Sequence, residues 1–326
     1  MNNLAELSLP RSVPLAQTPT RIEYLSRLSE ELASVKLSVK RDDLTGTALT
    51  GNKIRKLEFL LPDALEKGCD TLITCGGIQS NHARATAIVA ARFGLKSILV
   101  LRGKEPEIPL GNLLLDKLVG AEIRWITLKQ YQQVMDIMGE IAADLKRKGR
   151  KGYVIPTGGS NAVGSLGYLK AGFEIAGQTQ DNPPDLIVTP VGSGGTMAGL
   201  LGGIKLSGLP SRVIGFCVCD SARYFQEEIH SILKEMEYRF RLDLKIEKDD
   251  ITIFEDYIGP GYALSYPEEI DFIRHVARAE GLILDPVYTG KAMHGLVSEI
   301  KKGTFSDASE VLFVHTGGIF GLTGLS

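Results

Sequence analysis

A chain of 326 residues, 44% hydrophobic and 23% charged, is long enough to bury a sizeable core, and its length suggests about two domains. A formal net charge of −2 without a dense Lys/Arg block gives no electrostatic reason to expect nucleic acid or an anionic membrane surface as a partner. Residues 1–20 carry no basic stretch followed by an apolar core. Cys69, Cys75, Cys217 and Cys219 match no common zinc spacing, so a cytoplasmic protein with reduced, buried thiols and no metal is expected.

The first strong signal is "LTGNKIRKLEFLL", residues 49–61, where a Gly51–Asn52 loop hands over to a helix predicted across 53–67. Lys53 stands at that junction, behind a glycine that lets its backbone be presented to a cleft. Arg55 and Lys56 are rival cations, or the exposed face of a helix whose apolar stripe is Leu57, Leu60 and Leu61. A strand at "TLITCGG" from 71 then turns through Gly76 and Gly77 into a helix over 80–93, which Ser80 or Asn81 can cap. Free amides at such a helix start suit a carboxylate.

Further strands follow at "SILVLRG" from 97, "EIRWIT" from 122 and "GYVIPTGG" from 152, with helices over 130–149 and 162–179. The uncharged run from Leu186 is long enough to raise a membrane span, but its glycines and hydroxyls divide it into a strand, a loop and a helix over 196–206. The remaining elements are strands at "RVIGFCVCD" from 212 and "VLFVHTGG" from 311, and helices over 266–281 and 289–302. Continuous apolar strands alternating with helices predict an α/β fold of parallel sheets flanked by helices, with ligands at the carboxyl ends of the strands.

Among those strand exits, Gly192, Ser193, Gly194, Gly195 and Thr196 best fit a single phosphate monoester. The loop lacks a P-loop lysine, and Met197 occupies the third glycine position of the dinucleotide fingerprint. Asp220, ending the next strand, sits roughly where a ribose-binding carboxylate would, which keeps a nicotinamide dehydrogenase open. One phosphate site, a lysine at a loop–helix junction and no metal or histidine pattern together suggest pyridoxal 5'-phosphate. That cofactor needs a lysine for its Schiff base, a phosphate cradle and a polar partner at its ring nitrogen.

In order from about residue 10 to the C-terminus, "KRDDLTG", "TGNKIRKLEFLLPDA", "CGGIQSNHAR", "GGSNAVGSLGY", "VGSGGT", "EGLILDPVYTGKAMHGL" and "HTGG" resemble the D-cysteine desulfhydrase and 1-aminocyclopropane-1-carboxylate deaminase family. These are pyridoxal-phosphate enzymes of the tryptophan-synthase-β fold (fold type II). Thr50 departs from the family's usual glycine. The resemblance implies a homodimer acting on a small amino acid. It further implies a large domain from 1–51 and 164–326, a small one at 52–163, and the cofactor between them.

By the same resemblance Lys53 would carry the cofactor and then act as the base at the substrate Cα. Asn81 and Asn52 would bond the cofactor's phenolic oxygen, and Gly192 to Thr196 would hold its phosphate. Ser80, with Asn81, His82 and the backbone of 79–82, would receive the substrate carboxylate. Tyr262 and Tyr288 would face the substrate. Thr289 and Thr316 stand where deaminase members typically have Glu and Leu, and either could partner the ring nitrogen. A neutral hydroxyl there leaves the pyridine less firmly protonated, which suits β-elimination better than ring opening. D-Cysteine conversion to pyruvate, hydrogen sulfide and ammonia is therefore expected. Aminocyclopropane-carboxylate deamination and L-cysteate sulfo-lyase chemistry are the alternatives.

Overall fold

The computed structural model describes residues 4–33 and 35–324. In chain order the elements begin with β1 (Ile22–Tyr24), α1 (Ser26–Leu32), β2 (Lys36–Lys40) and α2 (Asn52–Glu66). Next come β3 (Thr71–Gly77), α3 (Asn81–Arg92), β4 (Lys96–Arg102), α4 (Gly111–Leu118), β5 (Glu122–Ile126), α5 (Leu128–Tyr131), α6 (Val134–Arg147) and β6 (Gly152–Val154). The second half holds α7 (Ala162–Gln178), β7 (Leu186–Val191), α8 (Gly195–Ser207), β8 (Arg212–Cys217), α9 (Ala222–Phe240) and β9 (Thr252–Phe254). It closes with α10 (Pro267–Glu280), α11 (Thr289–Lys302) and β10 (Glu310–Val314).

Two sheets result. One is four-stranded in the order β5-β4-β3-β6, parallel throughout. The other is six-stranded in the order β1-β2-β10-β7-β8-β9, and only its β1–β2 pair is antiparallel. Each sheet reverses its winding once, between β3 and β6 in the first and between β7 and β10 in the second. Such switch points open a crevice at the carboxyl ends of the strands. Among the described residues no helix is long and apolar enough to cross a membrane.

Helix α2 lies at the centre of the packing. Its Ile54, Leu57, Leu60 and Leu61 join one core with Leu166, Leu169 and Tyr168 of α7 and with Ala198 and Leu200 of α8. The backbones touch where side chains are missing: a Cβ on Gly167 of α7 would overlap the carbonyl oxygen of Arg55.

Arg55 and Lys56 do not form an exposed face; both are fully buried, because neighbouring elements cover this part of α2. Arg55 forks onto Asp42 (Nε to Oδ2 and Nη2 to Oδ1, both 2.8 Å) and reaches Glu174 on α7 at 2.8 and 2.9 Å. Lys40 of β2 donates to Glu174 at 2.5 Å, and Tyr168 donates to Asp42 at 2.6 Å. This cluster ties α2 to β2 and α7, and Arg55 holds both carboxylates below their usual range against the opposing effect of burial. Removing one partner of such a cluster strands buried charge. Arg55→Met is expected to cost about 3–5 kcal/mol in urea unfolding. The depressed carboxylates stabilise the fold above their unfolded values, so wild-type stability is expected to fall as pH drops below about 4, and to fall less in the variant.

Candidate active site

A cleft of about 380 Å³ opens at the shared carboxyl ends of the two sheets. Its lining comes from the exits of β3, β4, β6, β7, β8 and β10 and from the start of α2. Both switch points therefore face one space.

Lys53 enters this space from the first turn of α2. Gly51, at φ 90°, is the only residue type that fits before it, since a Cβ there would lie 2.8 Å from the Thr316 carbonyl oxygen. The same carbonyl accepts the Asn52 N–H at 3.0 Å, which ties the helix start to the β10 exit. The half-buried Lys53 amine makes no ion pair or hydrogen bond among the described residues, and burial pulls its pKa down to about 8. Lys56, three residues on, shares that helix face. Its amine donates to Gly158 O at 3.1 Å and Ser160 Oγ at 3.0 Å, and burial, together with Lys53, drives its pKa well below normal.

The phosphate-type loop after β7 contributes Gly192, Ser193, Gly194 and Thr196 to the lining. Gly195 does not line the cleft; its N–H is spent on Ser160 Oγ at 3.1 Å. Asn52 also lines the cleft and donates its side-chain amide to Thr196 Oγ1 at 3.0 Å, which ties the start of α2 to this loop. A Cβ on Gly158 would crowd Ser193 Oγ and lie 3.5 Å from Lys53 Nζ, while one on Gly192 would lie 3.0 Å from the Tyr288 ring. Glycine at both positions leaves a cradle for an anion beside the amine.

At the β3 exit, Ser80 caps α3 by accepting the Ala83 N–H at 3.1 Å, which leaves its own proton free to donate. The amides of Asn81 and His82 follow in the first helical turn, where intrahelical partners are lacking. Asn112 of α4 locks this loop, donating to Gln79 O at 2.9 Å and to Asn81 Oδ1 at 3.0 Å. The Asn81 NH2 is thereby left as a donor facing the cleft. His82 lines the cleft but is 2% exposed with both ring nitrogens unpartnered; burial and the nearby lysines keep it neutral, so it offers no charge to a carboxylate.

Opposite, Tyr262 and Tyr288 share a hydrogen bond of 2.6 Å between their hydroxyls, and burial raises both phenols so that they stay protonated. Lys291 of α11 fixes the Tyr262 loop by donating to Ile258 O at 2.6 Å and Gly261 O at 2.7 Å. Asp285 fixes Tyr288: its carboxylate accepts the N–H groups of Val287, Tyr288 and Thr289 at 2.9, 3.0 and 2.9 Å.

The two threonines expected at the ring nitrogen part company here. Thr316 lines the cleft. Thr289 is fully buried, donates its hydroxyl to Asp285 Oδ1 at 2.7 Å and accepts the Asp285 N–H at 2.8 Å, and does not reach the cleft. Sequence reasoning passed over Arg102, Tyr131, Thr157 and Gly158 in the lining, of which only the glycine pair in "PTGG" carried a signal; Lys56, weighed there as a rival cation to Lys53, lies behind the cleft.

A poised amine, a glycine cradle with hydroxyls, a facing amide donor and one neutral hydroxyl match what pyridoxal phosphate requires. A family model described as pyridoxal-phosphate dependent enzyme matches residues 13–317. The chain is a pyridoxal-phosphate dependent lyase with the tryptophan-synthase-β fold. A Thermotoga maritima protein bearing the name of a 1-aminocyclopropane-1-carboxylate deaminase is 44% identical, over 95% of this chain and 97% of its own length. A mitochondrial Arabidopsis thaliana protein named as bifunctional D-cysteine desulfhydrase and 1-aminocyclopropane-1-carboxylate deaminase is 42% identical over 88% of this chain and 73% of its own. The solved structure of an ACC deaminase homologue superposes with a TM-score of 0.89 at 42% identity, covering 97% of this chain and 94% of the other. Within the pyridoxal-phosphate enzymes, this chain belongs to the D-cysteine desulfhydrase and 1-aminocyclopropane-1-carboxylate deaminase family.

The divergence of the two threonines is testable. Thr289→Val removes the hydroxyl bond to the buried Asp285 carboxylate and leaves the Asp285 N–H without its acceptor; it is expected to cost about 1–3 kcal/mol while leaving the bound cofactor's absorbance unchanged. Thr316→Val is expected to shift that absorbance with little loss of stability.

Proposed function

We propose that this enzyme catalyses β-elimination on D-cysteine, releasing hydrogen sulfide and 2-aminoacrylate, which water converts to pyruvate and ammonia. The observation that carries the reading is Thr316, a neutral hydroxyl at the β10 exit. Asp220, the carboxylate in the lining, lies instead at the exposed β8 exit. A neutral partner leaves a pyridine nitrogen less protonated, which is enough for a good leaving group at Cβ but weak support for opening a cyclopropane.

The bound cofactor supplies an aldehyde for the substrate amine and a conjugated ring that spreads negative charge from Cα. The chain supplies the rest. Gly192 to Gly194 and Thr196 hold the phosphate, with the Lys56 amine behind Gly158 and Ser160 ready to take up a proton against it. Asn81 donates to the phenolic oxygen and Thr316 meets the ring nitrogen. Ser80 and the amides of 81–82 hold the substrate carboxylate. Lys53, poised near neutrality, takes the Cα proton. Because Tyr262 and Tyr288 share one proton between their oxygens, the second phenolic proton remains available for the departing sulfur.

A two-domain organisation with the smaller unit near 52–163, a homodimeric assembly and a cytoplasmic setting belong to the same proposal; the four-stranded sheet within 71–154 supports the smaller unit, whereas the packing of α2 on α7 and α8 favours counting 52–66 with the larger one. Deamination of 1-aminocyclopropane-1-carboxylate is the second reading, favoured by the names of the relatives, and it would yield 2-oxobutyrate.

Lys53→Ala is expected to lose both the visible absorbance of bound cofactor and pyruvate formation from D-cysteine; retention of either contradicts the role given to Lys53. Capture of the aldehyde needs the free amine, and the folded pKa is lowered to about 8. The rate at which apo-protein takes up cofactor is therefore expected to rise about tenfold per pH unit below 8 and to flatten above it.

A further inference from the structure

Arg102 has no place in the chemistry above. It ends β4 in register with Gly77 of β3, beside the loop that presents Ser80, and lines the cleft. Its guanidinium carbon lies 5.0 Å from the Tyr131 ring centroid and 4.7 Å from that of Tyr262. Two aromatic rings thus hold a planar cation in position without using its N–H groups. Among the described residues no carboxylate pairs with it and no hydrogen bond occupies it; the exposed Asp220, also in the lining, makes no ion pair with it.

The charges of the cleft are uneven in consequence. Burial lowers the Lys53 amine to about 8 and keeps His82 neutral, and Lys53 is taken up by the cofactor, which leaves the guanidinium of Arg102 as the planar cation of the lining. A substrate carboxylate has its own donors in Ser80 and the start of α3. Arg102 lies instead against Tyr262, whose hydroxyl is joined to that of Tyr288. That is the side of the cleft where the substituent on Cβ departs.

We propose that Arg102 is a specificity-determining residue that selects small amino acids whose β-substituent is itself anionic: a carboxylate, a sulfonate or an ionised thiol. The inference rests on the reading that Cβ points toward the tyrosine pair. It deepens that reading by naming the charge of the favoured substrates. Neutral side chains of equal size leave the guanidinium desolvated without a partner, which is how a site of this kind discriminates.

The test uses purified holoenzyme, wild type, Arg102→Met and Arg102→Lys, with aspartate and alanine as probes that carry no leaving group. Binding of each enantiomer is measured by calorimetry, and folding by thermal melting. In Arg102→Met, aspartate affinity is expected to fall about tenfold or more while alanine affinity changes little, with partial recovery in Arg102→Lys. Equal losses for both probes would mean that Arg102 serves the shared carboxylate or the fold, and would overturn the proposal. So would unchanged aspartate binding, or a wild type that does not bind aspartate. Pyruvate formation from D-cysteine is scored separately. If it fails while the aspartate–alanine contrast holds, the elimination reading falls and the role of Arg102 stands.

Discussion

Three cations within four residues of one helix must be buried together, and each is accommodated differently. Arg55 points away from the cleft and is neutralised by Asp42 and Glu174. Lys53 and Lys56, one turn apart on the opposite face, have no acid partner in the salt-bridge network, and desolvation lowers both. An ammonium stripped of water without a counter-ion tends to shed its proton, and a free amine is the species that can attack an aldehyde or accept a proton from carbon. The separation depends on helix phase: an offset of two residues places Arg55 some 200° around from Lys53, whereas three brings Lys56 back beside it. The carboxylates that stabilise α2 are thereby kept off the reactive amine.

The same economy governs the sheets. Both reverse at a switch point, and the loops from those reversals converge on one cleft. Backbone-to-backbone ties set the position of the amine: Gly51 against the Thr316 carbonyl, and Gly167 of α7 against Arg55. The side chains that hold the reacting groups in place, Asn112 under Gln79 and Asn81, Lys291 under the Tyr262 loop and Asp285 under Tyr288, all act through backbone or amide contacts. Their distance from the chemistry is one interaction each.

Much of this was legible beforehand, for reasons that differ by element. Continuous apolar runs ending in glycine, such as "TLITCGG" and "DLIVTPVGSGG", became β3 and β7 within a residue of where their patterns begin. The three-residue strands β1 and β9 carry too few positions for any period to register. The helix α9 was absent from the expectation although Phe225, Ile229, Ile232, Leu233 and Met236 mark a helical stripe, because attention to buried strands favours unbroken apolarity over amphipathic spacing. The helix expected over 130–149 divides into α5 and α6. Within the site, adjacency misled: Tyr288 and Thr289 are neighbours in sequence, but a helix start turns successive residues about 100° apart, so one faces the cleft and the other Asp285. Arg55 and Lys56 could stand in sequence as rival cations or as a solvated face, because their partners Glu174 and Gly158 lie more than a hundred residues away in the chain.

The account's central claim is that the neutral amine which receives the cofactor is that of Lys53 and not its buried neighbour three residues on. Borohydride reduction of cofactor-loaded protein, followed by peptide mapping, separates the two directly. A pyridoxyl group on Lys53 alone is the predicted result; a label on Lys56, or none on the peptide spanning 49–61, would contradict it.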